Sequence, residues 1–266
     1  MSYKTDFHIH SYFSDGTMKP TDLVRMYQED EYDMISITDH DNIDGVNEAM
    51  IAGEAIRIKV VPGIEFSTVD ENNTEIHLLG YYFDVEDENL LEKIALLRKV
   101  RTKRNEELLK VLNDMGYELT LDDLKLRPKQ KYIGKPNFAL ALAKKGYIKE
   151  PKDAFEKGKF LESPEIKAIK REKISIYEAI DLLKAAGGMA VVAHPMKIKN
   201  LGEKGSDEFF SNLDILIRKL KVAGLKGLEC YHPSATSEDS LKLVEIAEKY
   251  HLHITEGSDF HGHEFE

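Results

Sequence analysis

Histidines and carboxylates recur in short clusters along this chain, in a pattern that can bind metal ions. The clearest clusters are His8-Ile9-His10 with Asp15 and, near the other end, Asp259-Phe260-His261. Imidazole mixed with carboxylate suits manganese, zinc or iron, whereas oxygen ligands alone suit magnesium or calcium. The candidate ligands are more numerous than the four ligands of one tetrahedral ion, so we expect two or three divalent metal ions. Mn, Zn or Fe is preferred, and Mg is an alternative. The nine candidate ligands are His8, His10, Asp15, His40, Glu65, His77, His194, Asp259 and His261.

The elements predicted around these clusters explain how residues far apart in the sequence can meet. Short strand-like segments alternate with helix-like ones, which predicts an α/β fold built as a parallel β/α sheet or barrel. In such folds the carboxyl ends of the strands converge on one mouth, and nearly all of the clusters lie at strand ends. His77 is the exception, because it lies within a strand whose alternation can turn its imidazole inward. The strands are predicted at 4–8, 34–38, 59–64, 74–83, 189–193, 226–230 and 253–258.

Each candidate ligand also has an ordinary explanation when it is taken alone. Asp15 precedes Gly16, as turn residues often do, and Glu65 could cap a helix. The metal site is favoured because the candidates share strand ends and none of them falls in a predicted helix of the barrel.

Residues 87–171 interrupt the alternation of strands and helices. They are rich in lysine and contain no convincing strand, and 87–115 is predicted as one long helix. We therefore predict the first part of a barrel over 1–86, a helical insertion that forms a cap domain over 87–171, and the second part of the barrel over 172–266.

Composition narrows the classes of function. The chain has 266 residues, of which 42% are hydrophobic, so it can bury a substantial core. Its net charge of −11 argues against broad nucleic-acid binding, including DNA duplexes. One cysteine, Cys230, excludes a disulfide framework. No signal-peptide pattern and no run of about 18 apolar residues is visible, so a cytoplasmic protein without membrane contact is expected. The sequence leaves the oligomeric state open.

The motifs that carry the candidate ligands resemble, in order, those of the polymerase and histidinol phosphatase (PHP) superfamily. The resemblance implies a distorted seven-stranded β/α barrel, similar to a TIM barrel, with a trinuclear metal site and phosphoester hydrolysis. All nine candidates match ligand positions of the family, and Asp39 is expected to orient a neighbouring ligand rather than to bind metal. The matching segments are His8-Ile9-His10-Ser11, Ser14-Asp15-Gly16, Ile37-Thr38-Asp39-His40-Asp41, Pro62-Gly63-Ile64-Glu65, Ile76-His77-Leu78-Leu79-Gly80-Tyr81, Val192-Ala193-His194-Pro195 and Gly257-Ser258-Asp259-Phe260-His261-Gly262.

Within the superfamily, the Ser14-Asp15-Gly16 segment and the long insertion after His77 resemble the stand-alone nucleotide phosphoesterases. That branch contains a nucleoside 3′,5′-bisphosphate and AMP phosphatase, and relatives that trim RNA from its 5′ end. The expected function is therefore a phosphoric ester hydrolase that removes a phosphate from a small nucleotide, with a metal-bound hydroxide as the nucleophile. The nearest alternative is a 5′→3′ exoribonuclease on short RNA. A histidinol-phosphate phosphatase and a non-catalytic metal or nucleotide sensor rank below it.

Several residues of the insertion are candidate substrate contacts. Arg98, Arg101 and Arg104 are three apart and lie on one helix face, either as a solvated surface or as a clamp for phosphate. Lys135 and Asn137 stand where the resembling segment of the family usually carries Arg and His, so bidentate phosphate recognition is lost there. Lys135 can still contact phosphate as a point charge.

The loop after the sixth predicted strand resembles a Glu-x-Tyr-x-Pro loop of the family. His232 and Ser234 of this loop are candidates to line the substrate pocket, and an ordinary loop role is the alternative.

Overall fold

Seven strands follow one another around a nearly closed, barrel-shaped sheet in the computed structural model, which describes residues 3–127 and 130–262. All seven predicted strands are present, and the eighth is a two-residue strand that pairs with the third. The strands are β1 (Thr5–Ile9), β2 (Met34–Ile37), β3 (Lys59–Val69), β4 (Glu75–Tyr81), β5 (Ile174–Ser175), β6 (Met189–Val192), β7 (Gly227–Tyr231) and β8 (His253–Glu256). The α-helices are α1 (Pro20–Glu29), α2 (Val46–Ile56), α3 (Glu88–Asp114), α4 (Lys135–Lys144), α5 (Pro164–Ala168), α6 (Ile176–Ala185), α7 (Asp207–Ala223) and α8 (Ser237–Lys249).

The strand order around the sheet is β1-β2-β3-β4-β6-β7-β8, and backbone contacts bring its two ends together. Ile9 forms a parallel bridge with Phe260, just beyond β8. The backbone N–H of His10 donates to the carbonyl of Phe260 at 2.8 Å, and the N–H of Asp259 donates to the carbonyl of His8 at 2.9 Å. The predicted distorted β/α barrel is thereby confirmed, and its first and last ligand-bearing segments are joined directly.

The direction of β4 was predicted wrongly. We expected parallel strands throughout, but β4 runs antiparallel to both of its neighbours, β3 and β6. A tight turn between β3 and β4 causes this, because a short connection joins only antiparallel strands. Asp70 forms the turn by accepting hydrogen bonds from the backbone N–H groups of Asn72 and Thr74 at 2.9 and 2.7 Å. The same hairpin lengthens β3 to Val69, so Glu65 lies inside a strand rather than after one.

Hydrophobic side chains form one cluster in the barrel, which includes Leu90, Ile94 and Leu97 from the start of α3, and a second cluster in the rest of the insertion. In the barrel, Ile64, Leu78 and Leu213 are fully buried in a cluster between the sheet and helices α6, α7 and α8. A second cluster draws its buried members from positions 108–166, including Leu124 and Phe138. The insertion therefore has a core of its own, while the exact boundaries at 86/87 and 171/172 stay predictions.

Helices in the described ranges are too short or too polar to span a membrane. Cys230 is buried in β7.

Candidate metal centre

Glu65 lies at the centre of the predicted ligands. β3 places its side chain inside the mouth of the barrel, where it is fully buried. Each of its two carboxylate oxygens lies between 2.8 and 3.4 Å from imidazole nitrogens. Oε1 faces the imidazoles of His77, His194 and His8. Oε2 faces those of His40 and His10.

The other two carboxylates complete the cluster. Oδ1 of Asp259 lies 3.2 Å from Nε2 of His10 and 3.4 Å from Nε2 of His8. Asp15 lies 3.3 Å from Nε2 of His261 and 3.6 Å from Nε2 of His40. The structure thus brings all nine predicted ligands into one continuous cluster at the barrel mouth.

The spacing of these donors fits shared metal ions. Two ligands about 2.1 Å from one tetrahedral ion lie about 3.4 Å apart, close to the separations between the groups here. His194 belongs to none of the four sets of candidate ligands given in the next sentence, but its Nε2 lies 3.0 Å from Oε1 of Glu65. Four sets each offer ligand atoms within 4.8 Å of one another: His10, Asp15, His40 and His261; His8, His232 and Asp259; His8, His10 and Glu65; and His40, Glu65 and His77.

Unsatisfied polar atoms give a second reason to assign metal ions to the cluster. Burying a donor or acceptor without a hydrogen bond costs free energy, and native proteins rarely leave several such atoms together. Bound cations would satisfy the lone pairs of these nitrogens and oxygens at once. The buried cluster atoms without a hydrogen-bond partner among the described residues are Nε2 of His8, Nε2 of His10, Oδ1 of Asp15, Nδ1 of His40, Oε2 of Glu65 and Nδ1 of His194.

The cluster also shifts the pKa values of its members. Burial alone would lower the pKa of His77, but the carboxylates of Glu65 and Glu75 raise it to about 9. Burial would also lower the pKa of His261, but the carboxylates of Asp15 and Asp259 raise it to about 9. In the metal-free protein both imidazoles therefore hold protons at neutral pH.

Glu229 is a residue of the site that sequence analysis missed. It is fully buried in β7, with Oε1 2.9 Å from Nδ1 of His8, and its Oε2 accepts a hydrogen bond from the backbone N–H of His194 at 2.5 Å. Gly257 makes room for this contact, since a Cβ there would lie 2.2 Å from Cβ of His8 and 2.5 Å from Oε1 of Glu229. Two signals were available: a charged residue between Leu228 and Cys230 in an otherwise apolar strand, and the match of Glu229 to the Glu of the Glu-x-Tyr-x-Pro segment.

Asp39 acts on the ligand loop through two serines. Its carboxylate accepts hydrogen bonds from the backbone N–H and hydroxyl of Ser11 at 2.8 and 2.6 Å, and from the hydroxyl of Ser14 at 2.5 Å. Ser14 in turn lies 3.4 Å from Nδ1 of His10. The carboxylate therefore fixes the turn that carries Asp15 and reaches an imidazole by way of Ser14.

His232 lies closer to the metal centre than expected for a pocket-lining residue. Its Nε2 is 3.3 Å from Oδ2 of Asp259, while its Nδ1 accepts a hydrogen bond from the backbone N–H of Ser234 at 2.9 Å. Because that nitrogen accepts, a neutral imidazole carries its proton on Nε2 and donates it to Asp259. Ser234 thus holds His232 in place.

The three arginines of the insertion differ in what they contact. Arg98 donates to Asn42 and to Asp44, the latter at 2.8 Å, and Arg101 donates to the buried Asp41. Each of these two guanidinium groups thus pairs with the barrel through its Nη2, and a phosphate clamp formed by all three arginines stays a prediction. The Nε of Arg104 is buried without a hydrogen-bond partner among the described residues.

Lys135 and Asn137 also differ in their exposure and in the groups that they contact. Lys135 is exposed on one side, with its Nζ 3.8 Å from Glu162. Asn137 is buried at the start of α4, where Oδ1 accepts from the backbone N–H of Gly134 at 2.9 Å and Nδ2 donates to the carbonyl of Leu124 at 3.0 Å. Both polar groups of Asn137 form hydrogen bonds within the insertion, and the substrate contact predicted for it stays a prediction.

A pocket of about 320 Å³ opens onto the metal centre. Lys197, which follows His194 by three residues, places its Nζ 2.6 Å from Oδ2 of Asp259. The pocket is lined by His40, Glu65, Glu75, His77, His194, Lys197, Ile198, Lys199, Asp259 and His261.

Three characterised relatives are similar over nearly the whole chain. A 5′-3′ exoribonuclease from Haemophilus influenzae is 29% identical over 98% of this chain and 91% of its own length. A 3′,5′-nucleoside bisphosphate phosphatase from Chromobacterium violaceum is 27% identical, with 96% and 86% covered. A phosphoribosyl 1,2-cyclic phosphate 1,2-diphosphodiesterase from Eggerthella lenta is 28% identical, with 97% and 94% covered. The names of all three relatives describe cleavage of phosphoester bonds.

A solved structure is also similar over nearly the whole chain. The crystal structure of a Bifidobacterium adolescentis protein, described as a metal-dependent phosphoesterase, matches with a TM-score of 0.84 and 30% identity, covering 98% of this chain and 89% of that one. The family model described as PHP domain matches residues 6–252. The chain therefore belongs to the PHP domain family, as its motifs predicted.

Proposed function

We propose that this chain is a metal-dependent phosphoesterase that hydrolyses a phosphate monoester of a small nucleotide, either a nucleoside 3′,5′-bisphosphate or AMP. The observation that carries the proposal is the cluster of nine imidazoles and carboxylates with unsatisfied buried atoms, which opens into a pocket bordered by cations. Two or three divalent ions, of Mn, Zn or Fe with Mg as the alternative, fit this donor set.

Ions held by these residues would lower the pKa of bound water and neutralise phosphate oxygens, which is the chemistry that phosphoester hydrolysis needs. The chain supplies the positions of the ions through Glu65 and the outer contacts through Glu229 and Asp39. The residues that line the pocket in the described structure include no serine, threonine or cysteine. A serine, threonine or cysteine nucleophile therefore has no support at this mouth.

Two lysines line the pocket although the whole chain carries a charge of −11. Lys197 and Lys199 lie on the barrel side. Arg104 and Lys135 of the insertion both interact electrostatically with Glu75, which lines the pocket, and burial is the main cause that lowers the pKa of Arg104 to about 10. A local group of cations attracts a phosphorylated substrate even when the net charge is negative.

The volume of the pocket favours a small substrate. Ion pairs join Arg101 to Asp41 and Arg98 to Asp44, so helix α3 is attached to the loop that follows His40. A pocket of about 320 Å³ is at the small end of the range for ligand sites, which favours a single nucleotide. The second candidate is the 5′→3′ exoribonuclease, supported by the name of the Haemophilus relative, and it requires space for a following nucleotide.

Substrate assays on metal-loaded protein test the proposal. We expect phosphate release from a nucleoside 3′,5′-bisphosphate and from AMP with a higher kcat/KM than any reaction on a short 5′-phosphorylated RNA. Elemental analysis of the same sample should find at least two divalent ions per chain. Stepwise nucleotide release from RNA with no phosphate release from either small nucleotide would establish the exoribonuclease instead. Cleavage of a ribose 1,2-cyclic phosphate alone would point to the activity named for the Eggerthella relative.

A further inference from the structure

A buried charged cluster joins the cap to the barrel next to the metal centre. Asp41, directly after His40, has 2% of its surface exposed and accepts hydrogen bonds from two arginines of the insertion. Arg101 of α3 donates to its Oδ2, and Nη1 of Arg171 donates to the same oxygen at 3.2 Å. The backbone N–H of Ser67 donates to Oδ1 at 3.1 Å. One carboxylate of the barrel thus holds the first helix and the last residue of the insertion.

Tyr132 extends this cluster to a metal ligand. The guanidinium of Arg101 lies over one face of the Tyr132 ring, 4.3 Å from its centroid. The ring also lies nearly parallel to the imidazole of His40, at an interplanar angle of 18° and a centroid distance of 6.3 Å. Tyr132 is buried, so it is a packed aromatic contact of the imidazole on the cap side.

The orientation of His40 bears on more than one donor set. Its Nε2 lies 3.6 Å from Asp15 and its Nδ1 lies 2.8 Å from Glu65, so it belongs to two of the four donor sets. A rotation of this ring would move Nδ1 away from Glu65 and Nε2 away from Asp15. Its orientation therefore affects more than one ion position.

We propose that the insertion is part of the metal centre: Asp41, Arg101 and Arg171 hold Tyr132 against His40, and Tyr132 fixes the plane of that imidazole. Tyr132 and Asp41 are positioning residues, because they act through His40. The proposal rests on the metal centre of the proposed function but not on the identity of its substrate.

Titration of metal-free protein with Mn²⁺ or Zn²⁺ tests this role without substrate. Tyr132→Leu removes the ring and leaves no charge unpaired, and we expect metal binding to weaken about tenfold or more, as for other residues that orient ligands. Tyr132→Phe keeps the ring and should bind metal within about twofold of the unaltered protein. Equal affinity of the Tyr132→Leu variant and the unaltered protein, with both folded by circular dichroism, would overturn the proposal.

A second pair of variants separates positioning from mere attachment of the cap. Asp41→Asn breaks the buried cluster, whereas Asp44→Asn breaks another pair between α3 and the barrel, that with Arg98. Only Asp41→Asn should weaken metal binding. Equal weakening in both variants would show that cap attachment alone matters. If the unaltered protein binds no metal, the proposed function fails; if it binds metal and all variants bind equally, only this inference fails.

Discussion

Oε1 of Glu229 lies 2.9 Å from Nδ1 of His8, and neither side chain is exposed to solvent. A neutral imidazole of His8 that donates the proton of Nδ1 to this carboxylate keeps the lone pair of Nε2, which has no hydrogen-bond partner among the described residues. The same carboxylate holds the backbone of His194, which has a left-handed φ of 27°. Glu229 therefore orients two ligands from outside the cluster.

Replacing Glu229 by Gln should weaken metal binding. The amide is neutral and presents an NH₂ group to one of the two N–H donors, so His8 or His194 loses its partner. We expect the metal affinity to fall about 10–100-fold, as for other outer carboxylates of metal sites. Calorimetric titration of metal-free protein measures this change. An unaltered affinity in a folded variant would show that Glu229 does not orient these ligands.

Glu65→Gln should have a larger effect, because it removes the charge that faces five imidazoles. We expect more than about a 100-fold loss of metal affinity, above the range for outer residues, together with loss of phosphate release. Glu71→Gln is the matched control, since Glu71 lies on the same β3–β4 hairpin but pairs with Lys219 on the surface. Normal metal content in the Glu65→Gln variant would remove Glu65 from the ligand set.

Metal affinity should rise with pH. His77 and His261 have pKa values of about 9 in the metal-free protein, so below that pH a metal ion must displace their protons. Each displaced proton changes the apparent affinity about tenfold per pH unit, and the affinity is therefore lost as the pH falls. Titrations between about pH 6 and 8 in buffers of different ionisation enthalpy measure both the affinity and the protons released. Binding that releases no protons across this range would contradict the assignment of these two imidazoles as ligands.

Lys197→Met should weaken phosphate binding without removing metal. The ammonium group lies at the pocket wall, 2.6 Å from the outer oxygen of Asp259, within reach of a substrate phosphate. Loss of one charged hydrogen bond to phosphate corresponds to about 10–100-fold in KM or in inhibition by inorganic phosphate. Lys249→Met is the control, because Lys249 pairs with Asp214 on an outer helix. An unchanged KM with normal metal content would exclude Lys197 from substrate binding.

Sequence patterns predicted the seven strands and the family because both depend on local runs and short motifs. The direction of β4 was missed because it depends on the hydrogen bonds of Asp70 in a short turn. Glu229 was missed because it reads as one residue of a buried strand, and only the folded barrel places it behind His8. Helical spacing showed that Arg98 and Arg101 share a face, but their aspartate partners lie in the loop after His40, far away in the sequence.

The separate core of the insertion has a consequence for how selectivity can change. Side chains such as Leu124 and Phe138 pack among residues 108–166 and not against the sheet. Substitutions that reshape that module can alter which molecules reach the ions while the barrel keeps its ligands, provided that the contact between Tyr132 and His40 is retained. An exchange for the segment of a relative should therefore be confined to 108–166 and keep Tyr132, because Leu90, Ile94 and Leu97 at the start of α3 belong to the barrel core.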